Sequence, residues 1–176
     1  MLKRVLLLLI VLISGCNQDK KRLVEAEKLN FKTTDASELF FKNVRQINYQ
    51  KEVMKESKLD LFVPEFNEGL PLRFSIAINW RFDQAYLQVE RTKELETMES
   101  VSFNAVNDKN NTQETFTFES GNLTTQLNFA TWIYNQVLQG NKIIYGEGQK
   151  PLFTADGSKE AFRKFMVDYY RLIEAY

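Results

Sequence analysis

The residue types that carry out most protein catalysis are scarce in this sequence. Its 176 residues include no histidine and a single cysteine, Cys16. Histidine general bases, nucleophile pairs that need histidine and histidine-based zinc sites are therefore excluded. Carboxylates remain, and Glu90, Glu94, Glu96 and Glu99 cluster between predicted strands. Such a cluster can supply the acid and base of a glycosidase or hold calcium. We favour a solvated loop, because the EF-hand spacing is missing and some clustering is expected among 23 acidic residues.

The N-terminus has the pattern of an export signal. Lys3 and Arg4 precede an unbroken apolar run over residues 5–13, and the small residues Ser14 and Gly15 follow it. A membrane-spanning helix needs about 20 apolar residues, so this run is too short to be one. The order of charge, apolar run and small residues predicts a signal peptide that ends at residue 15.

Ile13-Ser14-Gly15-Cys16 resembles the lipobox of bacterial lipoproteins, with isoleucine where that family prefers leucine. The resemblance implies cleavage before Cys16, a diacylglycerol on its sulfur and usually an acylated amine. Cys16 is thus the expected lipid-attachment residue. Aspartate after the cysteine often marks retention in the inner membrane, but this chain has Asn17 there. The resemblance therefore implies a lipid-anchored protein of the bacterial envelope, in the outer membrane. An ordinary cleaved signal with a chance cysteine is the alternative.

Composition narrows the class of protein further. The 23 basic residues balance the 23 acidic ones, and loss of Lys3 and Arg4 with the signal would leave 21 against 23. A nucleic-acid-binding protein normally has a clear basic excess, so we expect no nucleic-acid partner. Hydrophobic residues make up 44% of the chain and aromatic residues 13%, which is too much for a disordered protein.

The mature chain divides into a tether and one domain. Residues 16–32 comprise the expected lipidated cysteine and a charged, mixed stretch that we interpret as a tether to the membrane. Residues 33–176 have the length of a single domain.

Hydrophobic periodicity predicts an α+β domain. Asp35 and Glu38 suit a capping pair at the start of a short helix near residues 35–42. Predicted strands lie within residues 44–53, 59–63, 72–80, 85–89, 101–105 and 116–118, with a further short one at 143–145; predicted helices cover 122–139 and 159–175. We expect an antiparallel sheet of about five to six strands, with the short N-terminal helix and the two C-terminal helices packed on one face.

The two tryptophans have two interpretations. Trp80 continues the apolar face of the strand at 72–80, and Trp132 lies beside the apolar face of the helix at 122–139. Either ring could stack on a sugar or a lipid. We favour core packing for both, because both lie on or beside a predicted apolar face.

The polar face of the hairpin at 72–91 is the candidate contact patch. It comprises Arg73, Arg81, Tyr86 and Arg91. Arginine and tyrosine are over-represented at protein interfaces. A plain solvated sheet face is the alternative.

These observations predict a membrane-anchored, non-enzymatic binding, adaptor or assembly protein that has an envelope protein as its partner. No motif indicates a cofactor, a metal or a catalytic residue. A binding protein for a small lipid, glycan or peptide ligand is the alternative, since aromatic content and a sheet covered by helices can leave a pocket. A carboxylate-based hydrolase ranks third.

Overall fold

The computed structural model describes residues 22–107, 112–119 and 121–176. Its helices are α1 (Asp35–Phe40), α2 (Leu123–Leu138) and α3 (Ser158–Leu172). Its strands are β1 (Tyr49–Met54), β2 (Leu59–Pro64), β3 (Leu72–Asn79), β4 (Gln84–Arg91), β5 (Ser100–Asn107), β6 (Thr112–Glu119), β7 (Lys142–Tyr145) and β8 (Lys150–Pro151). The predicted signal, lipobox and sorting residue, at positions 1–17, lie outside the described residues.

The α+β class is confirmed, but the single sheet that we predicted is wrong. The strands form two antiparallel sheets of four, in the orders β1-β2-β3-β4 and β6-β5-β7-β8. Strand β4 is at the edge of the first sheet, but two of its outward backbone N–H groups already have partners. The Ala85 N–H donates to the Phe31 carbonyl at 2.8 Å, and the Val89 N–H donates to Gln126 Oε1 at 2.7 Å. Because these groups satisfy the edge, β5 pairs with β6 and β7 instead.

The two sheets share one hydrophobic core. Helix α2 contacts β4 of the first sheet and β6 and β7 of the second. Its Phe129 ring lies 4.9 Å from Phe103 and 4.3 Å from Phe118 between ring centroids. Helix α3 packs Phe162 against Phe74 of the first sheet, at 5.0 Å. The helices therefore join the sheets instead of covering one face of a single sheet.

Strand β3 has the alternation that the sequence predicts. Leu72, Phe74, Ile76 and Ile78 are all fully buried on its core face. The strand ends one residue before Trp80, however, and Trp80 is 56% exposed. Our core assignment of Trp80 is wrong, because the chain leaves the sheet in a turn after Asn79 and the alternation no longer determines where the next side chain points.

The predicted strand at 44–53 is shorter than expected. Helix α1 is followed by a π-helical turn (Phe41–Arg45) and a 3-10 turn (Gln46–Asn48), and β1 starts only at Tyr49. The capping pair also differs from the predicted one: Thr34 and Ser37 cap each other reciprocally.

Residues 22–32 lie against the domain. The Val24 N–H donates to Asn135 Oδ1 at 3.0 Å, and Asn135 Nδ2 donates back to the Val24 carbonyl at 2.8 Å. Lys32 forms an isolated antiparallel bridge with Gln84. Within the described residues, no helix is both long and apolar enough to cross a membrane.

Candidate functional site

The helical segment from α1 to the start of β1 has two apolar sides. Its inward side chain is Phe41, which is buried and meets Phe62 edge to face at 5.0 Å. Its outward apolar side chains are Leu39, Phe40, Val44 and Ile47, which we call the 39–47 surface. Ile47 is 87% exposed, which is extreme for a β-branched apolar side chain.

A buried carboxylate fixes the C-terminal end of this segment. Asp168 of α3 is only 4% exposed. Arg45 donates to it from Nε at 2.8 Å and from the terminal Nη2 at 2.9 Å, and the Tyr49 hydroxyl donates to Oδ2 at 2.8 Å. Planar two-point pairing of this kind is geometrically specific, so it sets the angle of the segment on α3 as well as its position.

The electrostatics of this triad favour a positioning role. The hydrogen bond from Arg45 to Asp168 raises the pKa of the arginine. Burial, and then the negative charge of Asp168, raise the pKa of Tyr49 well above its ordinary value of 10.0. Tyr49 therefore remains a neutral hydrogen-bond donor. Both oxygens of Asp168 are occupied by donors, which leaves this carboxylate poorly placed for acid–base chemistry.

The start of the segment is tied to the end of α3. The Ser37 hydroxyl donates to the Leu172 carbonyl at 2.7 Å, and the Thr34 hydroxyl donates to Glu174 Oε1 at 2.6 Å. These bonds and the Asp168 triad hold the segment at both ends. The 39–47 surface is thus a fixed feature of the fold.

An open groove of about 520 Å³ adjoins this segment. Its lining includes Arg45, Tyr49, Phe66, Arg163, Asp168 and Arg171. Arg163 is engaged by Glu160 through two hydrogen bonds of 2.7 Å. Because Glu65 and Asp168 also line the groove, it offers aromatic rings beside paired charges, a combination that suits a polar or aromatic side chain.

The predicted contact patch is not one surface. Arg73 and Tyr86 do lie on the same outer face of the first sheet, since Arg73 pairs with Glu90 and Tyr86 pairs with Ala77 in the β3–β4 register. Arg91 pairs with Leu72, which places it at the end of the opposite, core-facing row.

Each member of that patch has local partners. Arg73 forms ion pairs with Glu52 at 2.8 Å and Glu90 at 3.1 Å. The Tyr86 ring packs on Phe31 with centroids 5.4 Å apart. Arg91 donates to the Met98 and Glu99 carbonyls, and Arg81 lies over the Phe82 ring. The register of the hairpin, which periodicity alone does not fix, places Arg91 on the opposite face from Arg73 and Tyr86, and Arg81 lies in the turn.

In the predicted acidic cluster, Glu90 and Glu96 line one open pocket, and Glu94 and Glu90 each have a basic partner. Glu94 accepts hydrogen bonds from Lys150 Nζ at 2.7 Å and from the Tyr145 hydroxyl at 3.2 Å. The bond from Lys150 lowers the pKa of Glu94. Glu90 belongs to the ion pair with Arg73. Across the described ranges, no group of three acidic, cysteine or histidine residues is placed to hold a metal.

The two tryptophans have opposite environments. Trp132 is half-buried beside Phe116, with centroids 5.6 Å apart, and its indole N–H donates to Glu114 Oε1 at 2.7 Å. Trp80 instead lies exposed in the turn between β3 and β4, next to Phe82, which is 62% exposed.

Sequence reasoning missed the 39–47 surface. The signal was present, because the sequence Leu-Phe-Phe at positions 39–41 is more apolar than one buried helix stripe requires. The sequence pattern instead places Val44 and Ile47 in the predicted strand within residues 44–53, which the structure begins only at Tyr49.

No family model, curated protein or solved structure matches this chain.

Proposed function

We propose that this protein is a lipid-anchored adaptor of the bacterial envelope, that it lacks enzymatic activity and that it binds a partner protein through the 39–47 surface. The lipobox at Ile13-Ser14-Gly15-Cys16 supports the anchor, and Asn17 supports the outer membrane. The observation that carries the docking role is an exposed apolar helical surface held in place by the buried triad of Asp168, Arg45 and Tyr49.

Rigidity favours binding by this surface. Four large apolar side chains exposed on one short segment are unusual for a monomer, in which exposed apolar residues are normally scattered. A segment already held in the bound conformation loses little conformational entropy on association. The adjoining groove would take a polar or aromatic anchor residue of the same partner.

A small-ligand carrier is the second candidate. The groove volume of about 520 Å³ lies within the range of ligand pockets, roughly 300–1,000 Å³. We prefer the adaptor function, because the groove is open and the four exposed apolar side chains of the 39–47 surface lie outside it.

The test uses the full chain with a C-terminal tag, crosslinked in living cells. We compare the native protein with Cys16→Ala, which removes the expected lipid site, and with Ile47→Lys, which places a charge on the 39–47 surface. Met98→Lys is the matched control, because Met98 is also an exposed apolar residue but lies in the β4–β5 connection.

We expect one envelope protein to be crosslinked by the native chain and by Met98→Lys, and to be lost with Ile47→Lys at unchanged protein level. Cys16→Ala should move the protein out of the membrane fraction. Equal crosslinking by Ile47→Lys would refute the docking surface. Membrane retention of Cys16→Ala would refute the anchor.

A further inference from the structure

Two turns of the first sheet project at the same end of the molecule. Met54 pairs with Leu59 across the β1–β2 turn, and Asn79 pairs with Gln84 across the β3–β4 turn. In the same sheet Asp60 pairs with Ile78, so the two turns are neighbours.

These turns carry exposed apolar side chains that the proposed function does not use. They are Val53, Met54, Trp80 and Phe82, which we call the hairpin tip. The tryptophan and the phenylalanine of the β3–β4 turn are both more than half exposed, at 56% for Trp80 and 62% for Phe82.

The N-terminal segment passes the same end of the sheet. The Thr33 N–H donates to the Asp83 carbonyl at 2.8 Å, within the β3–β4 turn. The next residue, Thr34, donates a hydrogen bond from its hydroxyl to Glu174, near the C-terminus. Tyr176, two residues after Glu174 in the chain, donates from its hydroxyl to the Arg22 carbonyl at 3.4 Å. This series of contacts places the first described residue, Arg22, at the end of the molecule that carries the hairpin tip.

The remaining chain is too short to take the anchor far away. Cys16 precedes Arg22 by six residues. Even a fully extended chain of that length spans at most about 22 Å. A lipid on Cys16 therefore holds this end of the domain close to the bilayer surface.

The chemistry of this end suits a membrane surface. Within the two turns themselves the basic residues are Lys55, Lys58 and Arg81, against the acidic Glu56 and Asp83. The Arg81 guanidinium lies 5.6 Å from the centroid of the Phe82 ring. Tryptophan is enriched at membrane–water interfaces, and long basic side chains can lie along apolar surface while their charge stays at the headgroups.

We propose that the hairpin tip inserts Trp80 and Phe82 into the headgroup region of the phospholipid bilayer that holds the Cys16 anchor. The proposal rests on the anchor of the proposed function. A second contact of this kind fixes the orientation of the domain, so that the 39–47 surface is presented at a constant angle to the membrane. A lipid chain alone would leave the domain free to rotate.

Quenching of tryptophan fluorescence by brominated lipid tests this proposal. The full-length protein is purified from membranes in detergent and reconstituted into phosphatidylcholine–phosphatidylglycerol vesicles, with or without bromine on the acyl chains. The chain has only two tryptophans, so Trp80→Phe leaves Trp132 as the sole emitter. Trp132 is half-buried against Phe116 and serves as the internal control.

We expect brominated lipid to reduce the emission of the native protein and to leave that of Trp80→Phe nearly unchanged. Equal fractional loss in both proteins, or no loss in either, would overturn the proposal. The intact mass of the purified protein reports acylation separately. If the acyl chains are absent, the proposal of a lipid anchor on Cys16 is refuted. The hairpin tip is then tested separately, by adding the same protein to preformed vesicles and measuring the quenching of its tryptophan emission.

Discussion

At the scale of single residues, Asp168 is the group on which the position of the 39–47 surface depends most. It accepts three hydrogen bonds from Arg45 and Tyr49 while almost wholly removed from water. A buried charge is tolerated only when it is paired and hydrogen-bonded. Loss of one partner leaves the other charge buried and unpaired, which lowers the free energy of unfolding. None of this could be predicted from the sequence, because the pair joins residues 123 positions apart.

Asp168→Asn tests this role. The substitution keeps the size of the side chain but removes the charge, and charge-assisted hydrogen bonds contribute about 1.5–3 kcal/mol. Because Arg45 is partly exposed and can be rehydrated, we expect a loss near the middle of that range, about 2 kcal/mol, measured by urea unfolding.

The matched control for that substitution is Glu25→Gln. Glu25 pairs with Lys28 at 2.7 Å, but both side chains are largely exposed. Exposed ion pairs contribute little, so this variant should lose less than about 0.5 kcal/mol. Similar losses in the two variants would mean that Asp168 does not anchor the segment.

At the scale of elements, the sequence predicts local structure well and strand pairing poorly. The alternation in β3 and the helical spacing in α2 and α3 are both found, within a residue or a few at the ends. The division into two sheets could not be predicted, because it depends on what occupies the edge of β4. Phe31 and Gln126 occupy that edge from distant parts of the chain.

Phe129→Ala tests whether α2 is the element that joins the second sheet to the core. Its ring is fully buried and packs on Phe103, Phe116 and Phe118. Loss of a buried phenylalanine side chain and the resulting cavity should cost about 3–5 kcal/mol in the free energy of unfolding.

Phe82→Ala is the matched control, because it removes the same side chain from a position where the ring is mostly exposed. In solution it should change stability by no more than about 0.5 kcal/mol. A loss of 1 kcal/mol or less in Phe129→Ala would contradict the joining role of α2.

At the scale of the whole molecule, we propose two contact surfaces on the domain, with different partners. The hairpin tip lies at the end where the described chain begins, near the expected anchor. The 39–47 surface follows the side of α3 from Leu172 towards Asp168 and leads away from that end. From the sequence we predict the cellular location of the protein, through the signal peptide and lipobox pattern. Neither surface could be predicted, because each depends on which apolar side chains the tertiary fold leaves uncovered.

The measurement that tests the central claim most directly is site-specific photocrosslinking in living cells. A photoreactive phenylalanine analogue replaces Ile47 in the full-length protein, and a second protein carries it at Met98. We expect a covalent adduct with one envelope protein from position 47, little from position 98, and loss of the adduct when Cys16→Ala removes the anchor. Adducts of equal yield from both positions, or none with protein from position 47, would contradict the central claim.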